Sequence, residues 1–406
     1  MIMWLTSRWA AGQNSRLCDG EFWSSPPELP AAATTIWSFC TAFCTAFAIR
    51  TENTLFGAKP PNERLMTAAP DSEVRHEPAG TEADRQQRAD FADTFARVLG
   101  DPNLPHRIFV DDGSRAVARA VRFAGAWKSR HNAAHGRRAG GDRMLALRPT
   151  GVDLAWTGEP ARRIPGPARG KDAEHAALEQ VQRAFEAHRD DIACLVVEPV
   201  PEEGNDRLSA RVLRATQPLC HDNDALLVLD EVRTGVGLTG TPWAHQQFGL
   251  APDVVAFGDR LRVGGVMMAY RMEPAANDVV GGRLVDLVHA RRVLEVVEAR
   301  SLCGRAARLG RVLVAMLERL AARFPDHATD VRGRGLMCAF DLCSTAVRDQ
   351  VVVRLRNDER VLVRPGGPRS IWLRAPLTVN LEELEAGVCA MHRVLAGLVG
   401  QRARAA

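Results

Sequence analysis

Short apolar runs alternate with helix-period segments over most of the chain after residue 90, and that alternation limits the architectures open to it. "RIFV" (107–110), "MLALR" (144–148), "IACLVVEP" (192–199), "ALLVLD" (225–230), "DVVAF" (253–257) and "GGVMMA" (264–269) are strand-like, and "SRAVARAVRFAGAWKSRH" and "AALEQVQRAFEAH" between them carry the helical period. Strands that are apolar on both faces and separated by helices predict an α/β fold, a mostly parallel sheet with helices on both faces.

From about Arg283 the pattern changes. Two amphipathic helices, "LVDLVHARRVLEVVEA" and "AARLGRVLVAMLERLAARF", lead into strand "RGLMCAFDL", helix "STAVRDQVVVRLR", strands "RVLVRPG" and "SIWLRAP", and helix "LEELEAGVCAMHRVLAGL". This predicts a smaller C-terminal α+β domain. Residues 1–90 show no sustained period, so the expected division is an irregular extension over 1–90, a large α/β domain over 91–290 and a small α+β domain over 291–406.

Several function classes recede on composition. The 53 basic residues, three lysines and fifty arginines, are interleaved with 49 acids and form no basic stripe, so nucleic-acid binding is not expected. Nine cysteines without a C-x-x-C pair fit reduced thiols in a cytoplasmic protein. Cys194 lies in an apolar run and reads as core. His131 and His135 stand one helical turn apart without a glutamate to complete a zinc motif, so no metal site is expected. The uncharged stretch Ala31–Ile49 starts too late for a signal peptide and is poor in strongly apolar residues, which disfavours a membrane role.

The stretch "LLVLDEVRTGVGLTGTPW" (226–243) bears the chemistry. Gly235, Gly237 and Gly240 spell the dinucleotide fingerprint, but Asp230 and Glu231 would set negative charge beside a pyrophosphate. The next acid, Asp253, precedes its strand instead of ending it. An NAD-dependent oxidoreductase is therefore the weaker reading. The other reading places Asp230 at a strand's C-terminal end, where such a carboxylate pairs with a pyridinium nitrogen and makes pyridoxal phosphate an electron sink.

The segment "LVLDEVRTGVGLTGTPWAHQQFGLAPDVVAFG" resembles the class III pyridoxal-phosphate aminotransferases. "FADTFARVLGDPNLPH", "WKSRHNAAHG", "HARRVLEVVEA" and "RGRGLMCAF" resemble the lysine epsilon-aminotransferases among them. The likeness covers roughly residues 91–397. It implies the fold-type I architecture, a homodimer, and amino-group transfer from lysine to a 2-oxo acid. It also implies roles: Asp230 on the pyridinium nitrogen, Arg332 on the substrate carboxylate, Glu203 in accepting two substrates, and the turn Asp111–Ser114, with Gly113 and Ser114, at the cofactor phosphate.

The same resemblance exposes departures. Asp259 stands where the family has its Schiff-base lysine, and the chain has no lysine after Lys171. Arg233 replaces a glutamine, Val279 replaces a phosphate-binding threonine, and the aromatic-His-Gly segment expected after "MLALR" is absent. Without an amine there is neither a covalent anchor nor a base to shuttle the substrate proton. The expectation is an aminotransferase fold with impaired or lost transamination. The alternatives are a non-catalytic binding protein partnering an intact homologue, lysine-free chemistry in the same pocket, and a decaying chain that folds poorly.

Overall fold

A computed structural model describes residues 81–110, 113–138, 140–141, 143–148, 151–156, 162–165, 171–201, 208–272 and 279–405. The candidate membrane stretch 31–49, Glu203, Asp111 and Asp112 lie outside the described residues. Among the described residues no helix is long and apolar enough to cross a membrane.

Regular structure begins inside the stretch expected to be irregular. Helix α1 (Glu82–Leu99) opens on a capping box in which Thr81 and Asp84 satisfy each other's backbone N–H. Phe91, Phe95 and Leu99, spaced at i, i+4 and i+8, bury one stripe of it.

A nine-stranded sheet follows. In chain order its strands are β1 (His106–Val110), β2 (Arg143–Arg148), β3 (Gly151–Trp156), β4 (Arg162–Pro165), β5 (Ile192–Val197), β6 (Leu226–Asp230), β7 (Val254–Phe257), β8 (Gly264–Met268) and β9 (Val279–Val280). They lie in the order β4-β3-β2-β5-β6-β7-β8-β1-β9. The pairings leave β3 and β8 antiparallel to the other seven, so the sheet is mixed and mostly parallel.

Alternate residues of the central strands feed two separate cores, as the period of two demands. Leu195, Val197, Leu227, Leu229, Val255 and Phe257 pack under α1, α3 (Lys171–His188), α4 (Ala210–Asp222) and α5 (Leu284–Ala299). Cys194, Val196, Leu226, Val228, Val254 and Ala256 face α2 (Gly113–Ala134), whose Ala116, Ala120 and Ala124 let it sit close to the sheet. Cys194 is fully buried, and burial lifts its thiol to about 12.

The second sheet is antiparallel, in the order β10-β11-β13-β12, from β10 (Ala328–Arg334), β11 (Met337–Leu342), β12 (Arg364–Gly366) and β13 (Ser370–Arg374). It shares one core with α6 (Leu302–Arg323), α7 (Thr345–Asn357) and α8 (Leu381–Ala405), built on Leu313, Leu317, Phe340, Ile371 and Leu395. Leu238, from the glycine-rich turn of the first sheet, belongs to this second core, and its carbonyl accepts from Leu336 N–H at 2.9 Å.

Candidate active site

The site grows from the C-terminal ends of β6 and β7. Asp230 is the last residue of β6 and half-buried; its Oδ1 accepts the Val232 N–H at 3.1 Å, which turns the chain away from the sheet. One strand over, β7 ends at Phe257 and is followed by Gly258 and Asp259, whose φ is +52°.

Two glycines let the first turn of α2 reach this edge. A Cβ on Gly258 would lie 2.2 Å from the Gly113 Cα, and one on Gly113 would lie 2.9 Å from the Gly258 Cα. Only backbone against backbone permits that approach. Gly113 is thereby held beside Asp259 N and Val232, with Ser114 next in the helix. The orphan N–H groups of a helix start favour an anion, so this part of the arrangement is compatible with a phosphate.

The loop after Asp230 is fixed from below. Glu231 is wholly buried and accepts from Ala244 N–H at 2.6 Å, His245 N–H at 2.9 Å and Thr234 Oγ1 at 2.9 Å. His245 Nδ1 lies 2.8 Å from Glu231 Oε1 and Nε2 lies 3.2 Å from Asp101 Oδ2. Burial works against protonation of His245, but the Glu231 hydrogen bond and charge, with those of Asp101, outweigh it and raise its pKa. The glycines at 235, 237 and 240 sit in turns and the next element is a short 3-10 helix at Ala244–Phe248, so no α-helix opens on them. The dinucleotide geometry is absent from this loop.

Arg374, unremarked in the sequence, enters from the other sheet. It ends β13, and its Nη2 donates to the Arg233 carbonyl at 3.0 Å and lies 3.5 Å from Asp259 Oδ2. Arg233 in turn stands 4.0 Å from Glu198, just beyond β5. Arg260, beside Asp259, has Nε and Nη2 shut off from solvent with no hydrogen-bond partner among the described residues. Burial first, then the Arg374 charge, pull its pKa down to about 9 against the attraction of Asp259. One arginine among fifty carries no signal by type; only its place at a strand end before Ala-Pro marked Arg374.

The structure therefore brings together Asp230, Asp259, Gly113 and Arg233, and leaves two expected residues elsewhere. Arg332 is 4% exposed within the second sheet. Its guanidinium donates to Asp341 Oδ1 at 2.9 Å, Ser370 Oγ at 2.9 Å and the Asp330 carbonyl at 2.8 Å, so in this structure it is held in a buried ion pair. Val279 pairs with Ile108 on the edge strand β9, three strand spacings from β7, about 14 Å.

Nor does Lys128 supply the missing amine. It is fully buried with Nζ on the Asp224 carbonyl at 2.8 Å, at the start of β6, so the strand's length, about 13 Å, separates it from the Asp230 end. Burial lowers its pKa to about 8. The hairpin from β2 to β3 has two connecting residues, 149 and 150, which leaves no segment there to carry a stacking ring. The His131 and His135 rings lie 4.2 Å apart, tilted by 34°, with His131 Nε2 3.5 Å from Asp224, at the N-terminal end of β6 and away from this site.

Residues 160–395 match the family described as aminotransferase class III. The chain belongs to the class III aminotransferase family. It is 41% identical over 378 residues to the L-lysine-epsilon aminotransferase of Mycobacterium tuberculosis, covering 84% of each chain. To the enzyme of the same name from Amycolatopsis lactamdurans it is 41% identical over 345 residues, 76% of this chain and 77% of that one. A solved lysine aminotransferase from M. tuberculosis in the internal aldimine form superposes with a TM-score of 0.68 at 40% identity, over 76% of this chain and 79% of that one. The class III aminotransferases are pyridoxal-phosphate enzymes, and these relatives share that dependence. Of what such a cofactor needs, this chain offers a strand-end carboxylate, Asp230, and a helix start at Gly113. It offers no amine at 259, so the residues present do not fit a covalently held cofactor.

Proposed function

We propose that this chain is a lysine-epsilon-aminotransferase-like protein that has kept the class III fold and lost transamination. The carrying observation is Asp259, at the end of β7 and paired with Arg374. An amine at that place both attaches the cofactor and moves the substrate proton. The Asp259 carboxylate can do neither attachment nor amine-based proton transfer, and it adds negative charge where an anionic cofactor would bind.

The same reading divides the chain into a large domain over 91–290 and a small one over 291–406, with amino and 2-oxo acids as the ligands the ancestral site handled. It takes the protein as a homodimer.

The test is an absorbance titration with pyridoxal phosphate, borohydride reduction and mass analysis of the chain, run beside a melting curve. Cooperative melting without a covalent adduct in residues 91–406 is the expected result. An adduct on Lys128 or Lys171 defeats the proposal, and a chain that does not melt cooperatively points to decay.

A further inference from the structure

His245 sits between two carboxylates that come from different parts of the chain. Its Nδ1 lies 2.8 Å from Glu231 Oε1, in the loop after β6, and its Nε2 lies 3.2 Å from Asp101 Oδ2, in the turn between α1 and β1. The side chains of His245, Glu231 and Asp101 are 2%, 0% and 7% exposed. A carboxylate only accepts, so both contacts are hydrogen bonds only while both ring nitrogens carry a proton. Neutral imidazole has one N–H to give, and the other buried carboxylate then faces a lone pair.

The two partners are not equally held. Glu231 also accepts from Ala244 N–H at 2.6 Å, His245 N–H at 2.9 Å and Thr234 Oγ1 at 2.9 Å, which fix it whatever the ring does. Asp101 has the Asn103 N–H at 2.9 Å on Oδ1, but the Oδ2 that faces His245 has besides it a long contact from Gln246 Nε2 at 3.4 Å. The proton that remains therefore stays on Nδ1, and the contact that fails is the one to Asp101. Arg214 of α4 and Arg334 of β10, the charged groups reaching the same 3-10 helix from the elements around it, are directed at Phe248, 3.4 Å from its carbonyl and 4.2 Å from its ring centre. His245 is left to its two acids.

We propose that His245 is a proton-operated clip: as imidazolium it ties the turn after α1 to the loop after β6, and as neutral imidazole it keeps Glu231 and lets Asp101 go. That turn follows Leu99, whose carbonyl accepts the Trp243 indole N–H at 2.7 Å, and the Trp243 ring lies 5.6 Å from that of Phe257, the last residue of β7. Release of Asp101 therefore loosens the support beneath the strand end that leads to Asp259. Burial opposes the proton, but Glu231 and Asp101 outweigh it, so the clip is closed at pH 6 and opens above pH 6.5. The device goes beyond the reading above and operates with or without a cofactor.

The experiment is hydrogen exchange of the full chain read by mass spectrometry at pH 6 and pH 9, corrected for the intrinsic rate, comparing residues 99–104 with β5. Residues 99–104 are expected to lose about tenfold more protection than β5 at the higher pH, the size of one hydrogen bond to a charged group. Asp101→Asn is expected to abolish the difference, because its amide can donate to a neutral Nε2 or accept from a protonated one. Should that variant fail to melt cooperatively, His245→Gln, which has an amide and no titrating proton, is expected to give the same flat response. Parallel loss in both segments overturns the proposal, since pH then acts on the whole fold, and so does equal protection at the two pH values. Residues 99–104 that still open in Asp101→Asn overturn it too, because the proton is then not acting through Asp101.

Discussion

Gly113 and Gly258 touch through their backbones, so that either glycine's missing Cβ is the space the other occupies. This contact ties the start of α2 to the end of β7, and with it places Asp259 next to Arg374. The site is therefore a product of close packing before it is a product of charge. Its residues come from strand ends, β6, β7 and β13, which are rigid, and from one helix start.

Gly258→Ala follows from that contact. A methyl group 2.2 Å from the Gly113 Cα has to push backbone, not a side chain, and overpacking of this kind costs about 1–3 kcal/mol or more. Urea unfolding should show a lower midpoint with an unchanged slope. An unaltered midpoint means α2 can move away without loss.

Arg332→Gln distinguishes a structural arginine from a substrate clamp. Arg332 and Asp341 are 3% and 2% exposed in their side chains, so removing the guanidinium strands a buried carboxylate. Breaking such a pair costs about 3–5 kcal/mol. The expected outcome is a large drop in unfolding midpoint, with carboxylate affinity of the folded fraction unchanged. Weakened binding with normal stability reverses the assignment and restores the clamp read from the sequence.

His245 gives the protein a pH dependence of defined sign. Its pKa is raised above 6.5 by Glu231 and Asp101, against burial. A raised pKa in the folded state contributes stability that is complete below the unfolded value, near 6.5, and fades as pH climbs through the folded value. Lys128, lowered to about 8, acts in the opposite direction only above that pH. The His131, His188 and His392 pKa values are lowered, mainly by burial, so their opposing contribution is complete once pH passes about 6.5. From about pH 6.5 upward the His245 contribution should therefore fade, and His245→Asn should remove that part of the slope. At pH 6 the variant should be about 1–3 kcal/mol less stable, because Glu231 and Asp101 lose a charged donor.

Much of this was legible in the sequence where burial is two-sided. The runs ending at Val197, Asp230 and Phe257 are strands because both faces need apolar residues, and the 29-residue interval from Asp230 to Asp259 places both at neighbouring strand ends. Helix α4 escaped because Pro218 interrupts its period, and β10 because "ATDVRGR" is polar and bulged between Thr329 and Arg332. Arg332 was read as the clamp from its motif. Its actual partners, Asp341 and Ser370, lie 9 and 38 residues away, and only the folded sheet brings them together. Arg374 and the Glu231–His245–Asp101 network are likewise tertiary facts.

Asp259→Lys is the sharpest test of what the site has lost. The substitution returns an amine to the end of β7 while Asp230, Gly113 and the Arg374 donor remain in place. It also frees Arg374 from its internal carboxylate and sets a second cation beside Arg260, whose pKa is already depressed. The left-handed backbone at 259 disfavours lysine more than aspartate, a cost of about 1 kcal/mol that leaves the fold intact. With pyridoxal phosphate the variant should develop a visible band that borohydride fixes to residue 259, where the native chain shows none. Amino-group transfer should stay well below that of an intact relative, because the two-residue connection between β2 and β3 still supplies no ring to stack on the cofactor. An Asp259→Lys protein that melts cooperatively and forms no adduct shows that the remaining changes together exclude the cofactor even when the lysine is restored.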